Sequence, residues 1–165
     1  MMFYKINKFK EHNLVKDKVL DLIKNSVGES SGDITRTDWY VGKGIQKEYF
    51  RFLLPYIGPY IEDVVREIGH KECQIETYWF QQYEHNSEHP WHTHPLCGWS
   101  NVYYVEFPKD GPPIEIKMPF SDEIIIPKLE EGDILTFPSN FFHRSPVNHS
   151  MKRKTVVTYD LTNLK

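Results

Sequence analysis

Residues 74–94 read QIETYWFQQYEHNSEHPWHTH. The first half alternates. Ile75, Thr77, Trp79, Gln81 and Tyr83 fall on one side of an extended chain, and Glu76, Tyr78, Phe80 and Gln82 on the other. That period of two marks a β-strand. The second half carries His85, His89, His92 and His94, four of the eight histidines within ten residues. Residues two apart in a strand share a face, so His92 and His94 can present both imidazoles to one point. Imidazole suits iron, copper, nickel or zinc, and a further ligand must then come from elsewhere in the chain. The plainer alternative is a set of surface histidines in a polar loop; their density favours a metal.

Downstream, the same short-strand rhythm continues. Candidate strands are 100–107 (SNVYYVEF), 113–118 (PIEIKM), 123–127 (EIIIP), 133–138 (DILTFP) and 153–161 (RKTVVTYDL), separated by turn residues. Nine of the 11 prolines lie between Pro90 and Pro146, and none precedes Pro55. The first third is therefore expected to hold the helices. Asn13 can cap one helix, whose apolar residues Leu14, Val15, Val19, Leu20, Leu22, Ile23 and Val27 recur at helical spacing. A second helix is expected over 47–69, interrupted near Pro55 and Pro59 and stopped at Gly69. Trp39, between the two, is expected in the core, the alternative being a pocket rim. Helices followed by five or more short strands predict a mainly β fold, a compact sandwich or barrel with helices packed on one side.

Composition sets outer limits. A chain of 165 residues, 39% hydrophobic and 26% charged, suits one soluble domain, with 1–70 as helical support and 71–165 as core. No apolar run is long enough to span a membrane. Residues 1–70 hold 11 basic and 10 acidic groups, and 71–165 hold 9 and 13, so neither half offers the basic excess of a nucleic-acid platform. The first 13 residues, MMFYKINKFKEHN, lack the apolar stretch of a secretory signal, which points to the cytoplasm. Cys73 and Cys97 make neither a disulfide framework nor a CxxC zinc site.

A third ligand has a candidate in His143, within GDILTFPSNFFHRSPVN, just beyond a strand and a turn. Gly132, Pro138, His143 and Asn148 resemble the second metal motif of cupins, with one extra residue before the asparagine. Cupins place a glutamate shortly after HxH, and PLCGW has none. Taken alone, His143 reads as a buried structural histidine. Ten residues later Arg153 and Thr155 share a face of the last strand, where guanidinium and hydroxyl can clamp one carboxylate. Alternatively, Lys152, Arg153 and Lys154 form a surface basic patch.

In order, WFQQYEHNSEHPWHTHP, SNVYYV, GDILTFPSNFFHRSPV and RKTVVTYDL resemble the 2-oxoglutarate/Fe(II)-dependent oxygenases of the prolyl-4-hydroxylase-like kind, over roughly residues 73–161. The resemblance implies a double-stranded β-helix (jelly roll, cupin-like) with helices packed on one sheet. It implies that His92 and His143 ligate Fe(II), with His94 standing where the family has Asp or Glu. It implies that Arg153, helped by Thr155, binds the distal carboxylate of the cosubstrate 2-oxoglutarate. Tyr104 is similar in place to a tyrosine reaching the same carboxylate, and Tyr83 to one lining the cosubstrate channel. Trp79, Tyr83 and Trp91 would shield the site. The implied reaction consumes dioxygen and 2-oxoglutarate, releases succinate and carbon dioxide, and hydroxylates a peptidyl or small-molecule substrate. Two other classes remain open: a three-histidine cupin-type dioxygenase without keto acid, and a non-catalytic metal- or sugar-binding jelly roll.

Overall fold

The computed structural model describes residues 3–42, 44–94 and 97–165, the side chain of Glu76 excepted. Eleven strands are present among them: β1 (Lys5–Lys8), β2 (Glu29–Ser31), β3 (Ile34–Thr37), β4 (Gln74–Tyr83), β5 (His89–His92), β6 (Trp99–Glu106), β7 (Glu115–Lys117), β8 (Ile124–Ile125), β9 (Asp133–Pro138), β10 (His143–Ser145) and β11 (Lys154–Thr162). Helices α1 (His12–Lys24) and α2 (Glu48–Glu67) lie in the first 70 residues. Seven strands form one antiparallel sheet in the order β1-β9-β6-β11-β4-β3-β2, and four form a second in the order β5-β10-β7-β8. Two antiparallel sheets with helices on the larger one make the jelly-roll arrangement expected from the sequence.

Strand alternation divides the seven-stranded sheet into two faces. Tyr78 and Phe80 of β4, Tyr103 and Val105 of β6, Ile134 of β9, and Val157, Tyr159 and Leu161 of β11 pack against both helices. Tyr83, Val102, Tyr104, Leu135, Phe137 and Val156 face the smaller sheet. Each helix turns a matching stripe to the first face: Val15, Val19 and Ile23 from α1, and Phe50, Leu53, Ile57, Ile61 and Val64 from α2. Phe50 lies flat on Tyr78, ring centroids 4.1 Å apart.

The helices depart from expectation in detail. Helix α1 starts at His12, so Asn13 is already inside it, and Glu11 at its cap position makes no side-chain cap bond. Leu14 and Val27, counted in the apolar pattern, are exposed. Helix α2 runs without a break through Pro55 and Pro59. The two prolines are four residues apart on the exposed side, where water can satisfy the carbonyls that lose a partner. Gly69, at a φ of +87°, ends the segment in the left-handed conformation glycine tolerates. The N-terminal third also contributes β1, β2 and β3 to the large sheet, so it is more than a helical support. Among the described residues no helix is long and apolar enough to cross a membrane.

Leu53 sits at the centre of the helix-to-sheet contact and is fully buried. Leu53→Ala is expected to lower the unfolding free energy by about 2–5 kcal/mol, read from urea denaturation followed by far-UV circular dichroism.

Candidate metal centre and anion pocket

Strand β10 is hydrogen-bonded to β5, and His143 lies directly opposite His92. His94 follows β5 by two residues and is pinned by its backbone N–H to the Ser139 carbonyl, 2.8 Å. These pairings bring His92, His94 and His143 together, with one ring nitrogen from each lying within 4.8 Å of the others. Each Nδ1 is already engaged: that of His92 with the Pro90 carbonyl at 2.7 Å, that of His143 with the Phe141 carbonyl at 2.8 Å, and that of His94 with the Asp160 carboxylate at 3.1 Å. A ring that donates from Nδ1 leaves Nε2 as a bare lone pair, the state in which imidazole ligates a metal. Pro95, the proline that closes the HTHP motif, lies outside the described residues.

The surroundings keep the His92 and His143 rings neutral. Burial holds the His143 imidazole down to about 3, reinforced by His92. Burial also lowers His92, although its bond to the Pro90 carbonyl opposes this. A protonated ring would repel a metal ion, so imidazoles that resist protonation are ready ligands. Phe137 packs edge-on to His143, with centroids 4.8 Å apart. The donor chemistry, three imidazole nitrogens, therefore fits a borderline divalent cation such as Fe(II).

The histidines line a cavity of about 40 Å³ whose walls include Trp79, Tyr83, Tyr104, Phe137 and Lys154. Tyr83 and Tyr104, expected at the cosubstrate site, are both here and both buried, and burial raises both hydroxyls so that they stay protonated. Arg153 and Thr155 are not here. The two do share a face, but it is the opposite one: Arg153 donates through Nε and Nη2 to Glu106 at 2.9 and 3.1 Å, and Thr155 donates to the same carboxylate. Arg153 borders a separate surface depression with Glu106, Lys109 and Lys152. A side-chain period of two makes a one-residue choice decisive.

Lys154 takes the inward place. It is 3% exposed, its ammonium touches the Ser145 hydroxyl and the Pro112 carbonyl, and it lies 4.6 Å from the centre of the Tyr83 ring. Among the described residues no carboxylate pairs with it. Burial alone pushes it down to about 7. Arg144, the other cation in the cavity wall, is already neutralised by Glu115 at 2.7 Å.

Other placements differ from expectation. Trp39 is 53% exposed rather than buried; its ring meets Trp79 at 4.4 Å and stacks over His94 at 6.4 Å, at the edge of the site. Trp91 lies under the Arg144 guanidinium, 5.0 Å away, and Trp79 lines the cavity. Reading the sequence missed Lys154 and Asp160 as site residues; His89, named there with the histidine cluster, joins them. His89 lines the cavity, stacks on His92 at 3.7 Å and bonds Gln81 at 3.2 Å. The inward alternation Lys154, Val156, Thr158, Asp160, counted from the helix-facing Val157, Tyr159 and Leu161, could have found the first two.

No protein-family model and no curated protein matches the sequence. Solved structures do match in shape. An oxidoreductase of the 2OG-Fe(II) oxygenase family from Burkholderia pseudomallei superposes with a TM-score of 0.78 at 12% identity, over 97% of this chain and 84% of that one. The fold is that of 2-oxoglutarate/Fe(II) oxygenases. A viral collagen prolyl hydroxylase from Paramecium bursaria Chlorella virus-1, solved with 2-oxoglutarate, matches with a TM-score of 0.69 at 14% identity, over 97% of this chain and 96% of that one. A Trichoplax adhaerens prolyl hydroxylase, solved with a peptide of hypoxia inducible factor, matches with a TM-score of 0.72 at 14% identity, over 98% and 84%.

A buried lysine with no counter-charge costs stability. Its ammonium loses its proton near pH 7 in the folded chain and only near 10.4 when unfolded. The penalty is therefore full below about pH 7 and fades as pH rises towards 10. Lys154→Met is expected to raise the melting temperature at pH 7 by at least about 4 °C, with the gap to the parent narrowing steadily up to pH 10. Calorimetry of both proteins across that range checks it.

Proposed function

We propose that the protein is a 2-oxoglutarate- and Fe(II)-dependent dioxygenase that hydroxylates a peptidyl or small-molecule substrate. The observation that carries this reading is one cavity holding both three convergent imidazoles and a buried ammonium without a carboxylate partner. A metal site alone would not need Lys154, and an anion site alone would not need the histidines. A small dianion that binds a metal at one end and a cation at the other answers to both.

His92, His94 and His143 would hold the iron. Bound Fe(II) supplies the dioxygen chemistry that couples loss of carbon dioxide from the keto acid to hydroxylation of the substrate. Lys154 anchors the distal carboxylate in place of the Arg153 and Thr155 pair, with Tyr83 and Ser145 beside it. Apolar and aromatic walls, Val102, Phe137 and Val156 among them, exclude water and so strengthen the ion pair. Trp39 and Trp79 border the open side, where a substrate would approach. The prolyl hydroxylases among the structural neighbours support a peptide as the first substrate class to test.

One feature favours a second reading, a cupin-type dioxygenase without keto acid: the protein ligands are three histidines, with no carboxylate among them. Anaerobic titration separates the two. Fe(II)-loaded protein is expected to develop a visible charge-transfer band with 2-oxoglutarate and to release succinate in air. His92→Ala and His143→Ala should each lose the iron. Iron binding with neither band nor succinate moves the assignment to the cupin reading.

The same titration identifies the anchor. Removing one partner of a shielded charge pair costs about 2–5 kcal/mol, or roughly 30-fold and more in affinity. Lys154→Met should weaken 2-oxoglutarate by that order, and Arg153→Ala should leave it close to the parent. Because the carboxylate must meet a protonated amine, affinity should fall as pH rises above about 7 in the parent and stay flat in Lys154→Met. A strong loss in Arg153→Ala instead would return the anchor to the outer face.

A further inference from the structure

Asp160 lies in the interior strand β11, 1% exposed, where an unpaired carboxylate would be severely disfavoured. Three donors surround it. Ser100 gives a hydroxyl bond of 2.7 Å, the Cys97 thiol approaches at 3.3 Å, and His94 offers its ring Nδ1 at 3.1–3.2 Å, the same nitrogen lying 3.0 Å from the Ser100 hydroxyl oxygen, which bridges the two. Among the described residues no lysine or arginine forms an ion pair with it; its one ion-pair contact is His94. The charge on Asp160 has therefore no fixed cation of the protein to balance it, and it faces the back of a ring whose front joins the histidine cluster.

We propose that Asp160 is a positioning residue of the metal centre, holding His94 in the Nδ1–H tautomer and supplying, one bond removed, the negative charge that a ligating carboxylate would give. This rests on the metal-centre reading above. A carboxylate behind a ligating imidazole fixes the ring's orientation and raises its basicity. Here it also settles the charge balance: three neutral imidazoles leave a divalent cation at +2, and Asp160 brings the buried assembly to +1, the value for two imidazoles and a directly bound carboxylate. His92 and His143 lean on backbone carbonyls, so His94 alone among the three carries this charge.

The test compares Co(II) and Fe(II) affinity in anaerobic titrations, with far-UV circular dichroism as the control for folding. Asp160→Asn keeps the shape and removes the charge, and should weaken both metals by about 10- to 100-fold and shift the visible Co(II) bands. Ser100→Ala keeps the carboxylate while removing its shortest hydrogen bond, together with the hydroxyl that lies 3.0 Å from His94 Nδ1; it should weaken both metals by a smaller factor than Asp160→Asn, and it keeps the proposal testable if Asp160→Asn does not fold. A purely structural role predicts lower melting temperatures with parental metal affinity and unchanged Co(II) bands in the folded variants, and that result overturns the proposal. Loss of metal binding already in the parent protein would overturn the metal-centre reading itself, and the proposal with it.

Discussion

Strand β11 must bury both of its faces. It is hydrogen-bonded to β4 on one edge and β6 on the other, helices cover one side, and the smaller sheet covers the other. Its odd-numbered residues from Val157 to Leu161 satisfy that constraint simply, with apolar surface against α1 and α2. Its even-numbered residues Lys154, Thr158 and Asp160 do not. Three polar side chains, two of them ionisable, are forced into the interior by the same backbone that fixes the apolar ones. Charges survive there only with hydrogen bonds and a compensating partner, and β11 places both charges at the site that would bring such partners. The polar cavity is thus a consequence of where the hydrophobic face points.

Electrostatics inside the cavity lean against protons. His89 and His143 are held down to about 3 and Lys154 to about 7, burial being the leading cause in each case. On the proposed function, a cavity that disfavours its own positive charge, with Asp160 buried behind His94, would suit a cation brought from outside, followed by an anion for Lys154. The order is physically sensible. A metal at the histidines lowers the cost of bringing in a carboxylate, and the dianion then offsets both positive centres.

Much of this was legible in the sequence, because strand period and histidine spacing are local. The two faces of β4 could be assigned from 74–83, and from Tyr78 to Tyr83 they are observed as assigned: Trp79, Gln81 and Tyr83 inward, Tyr78 and Phe80 towards the helices; Ile75, expected inward, packs instead with the helix-facing cluster, because the pairing with β11 shifts register at Asp160/Leu161. The HxH pair and His143 could be singled out because a turn and an antiparallel register bring strand ends together. Failures arose where two neighbouring residues were equally plausible. Arg153 and Lys154 differ by one position, and local chemistry favours arginine as a carboxylate binder; only the register against β4 and β6, with an irregularity at Thr155/Val156, determines which points inward. The pairing of Asp160 with His94 spans 66 residues and has no local signature. Strands β1, β2 and β3 were invisible for a related reason: three or four residues are too few to display a period.

The placement of Trp39 shows how far the scaffold reaches beyond the sheets. An exposed indole beside a ring of the histidine cluster could be held loosely, but its neighbour is not. Asp38 is 2% exposed and accepts from the Tyr49 hydroxyl at 2.8 Å and the Phe80 backbone N–H at 2.9 Å, with the Lys47 ammonium 3.2 Å away. Burial depresses Lys47 while the Asp38 charge opposes that shift. The carboxylate thereby ties the segment after β3 to both α2 and β4. Trp39, one residue on, has its backbone N–H fixed by the Thr37 hydroxyl at 3.2 Å. The exposed ring is thus mounted on a buried ionic anchor, and its contacts with Trp79 and His94 follow from that mount. Such an anchor fixes the backbone that carries Trp39, so the cost of ordering that segment is met in folding.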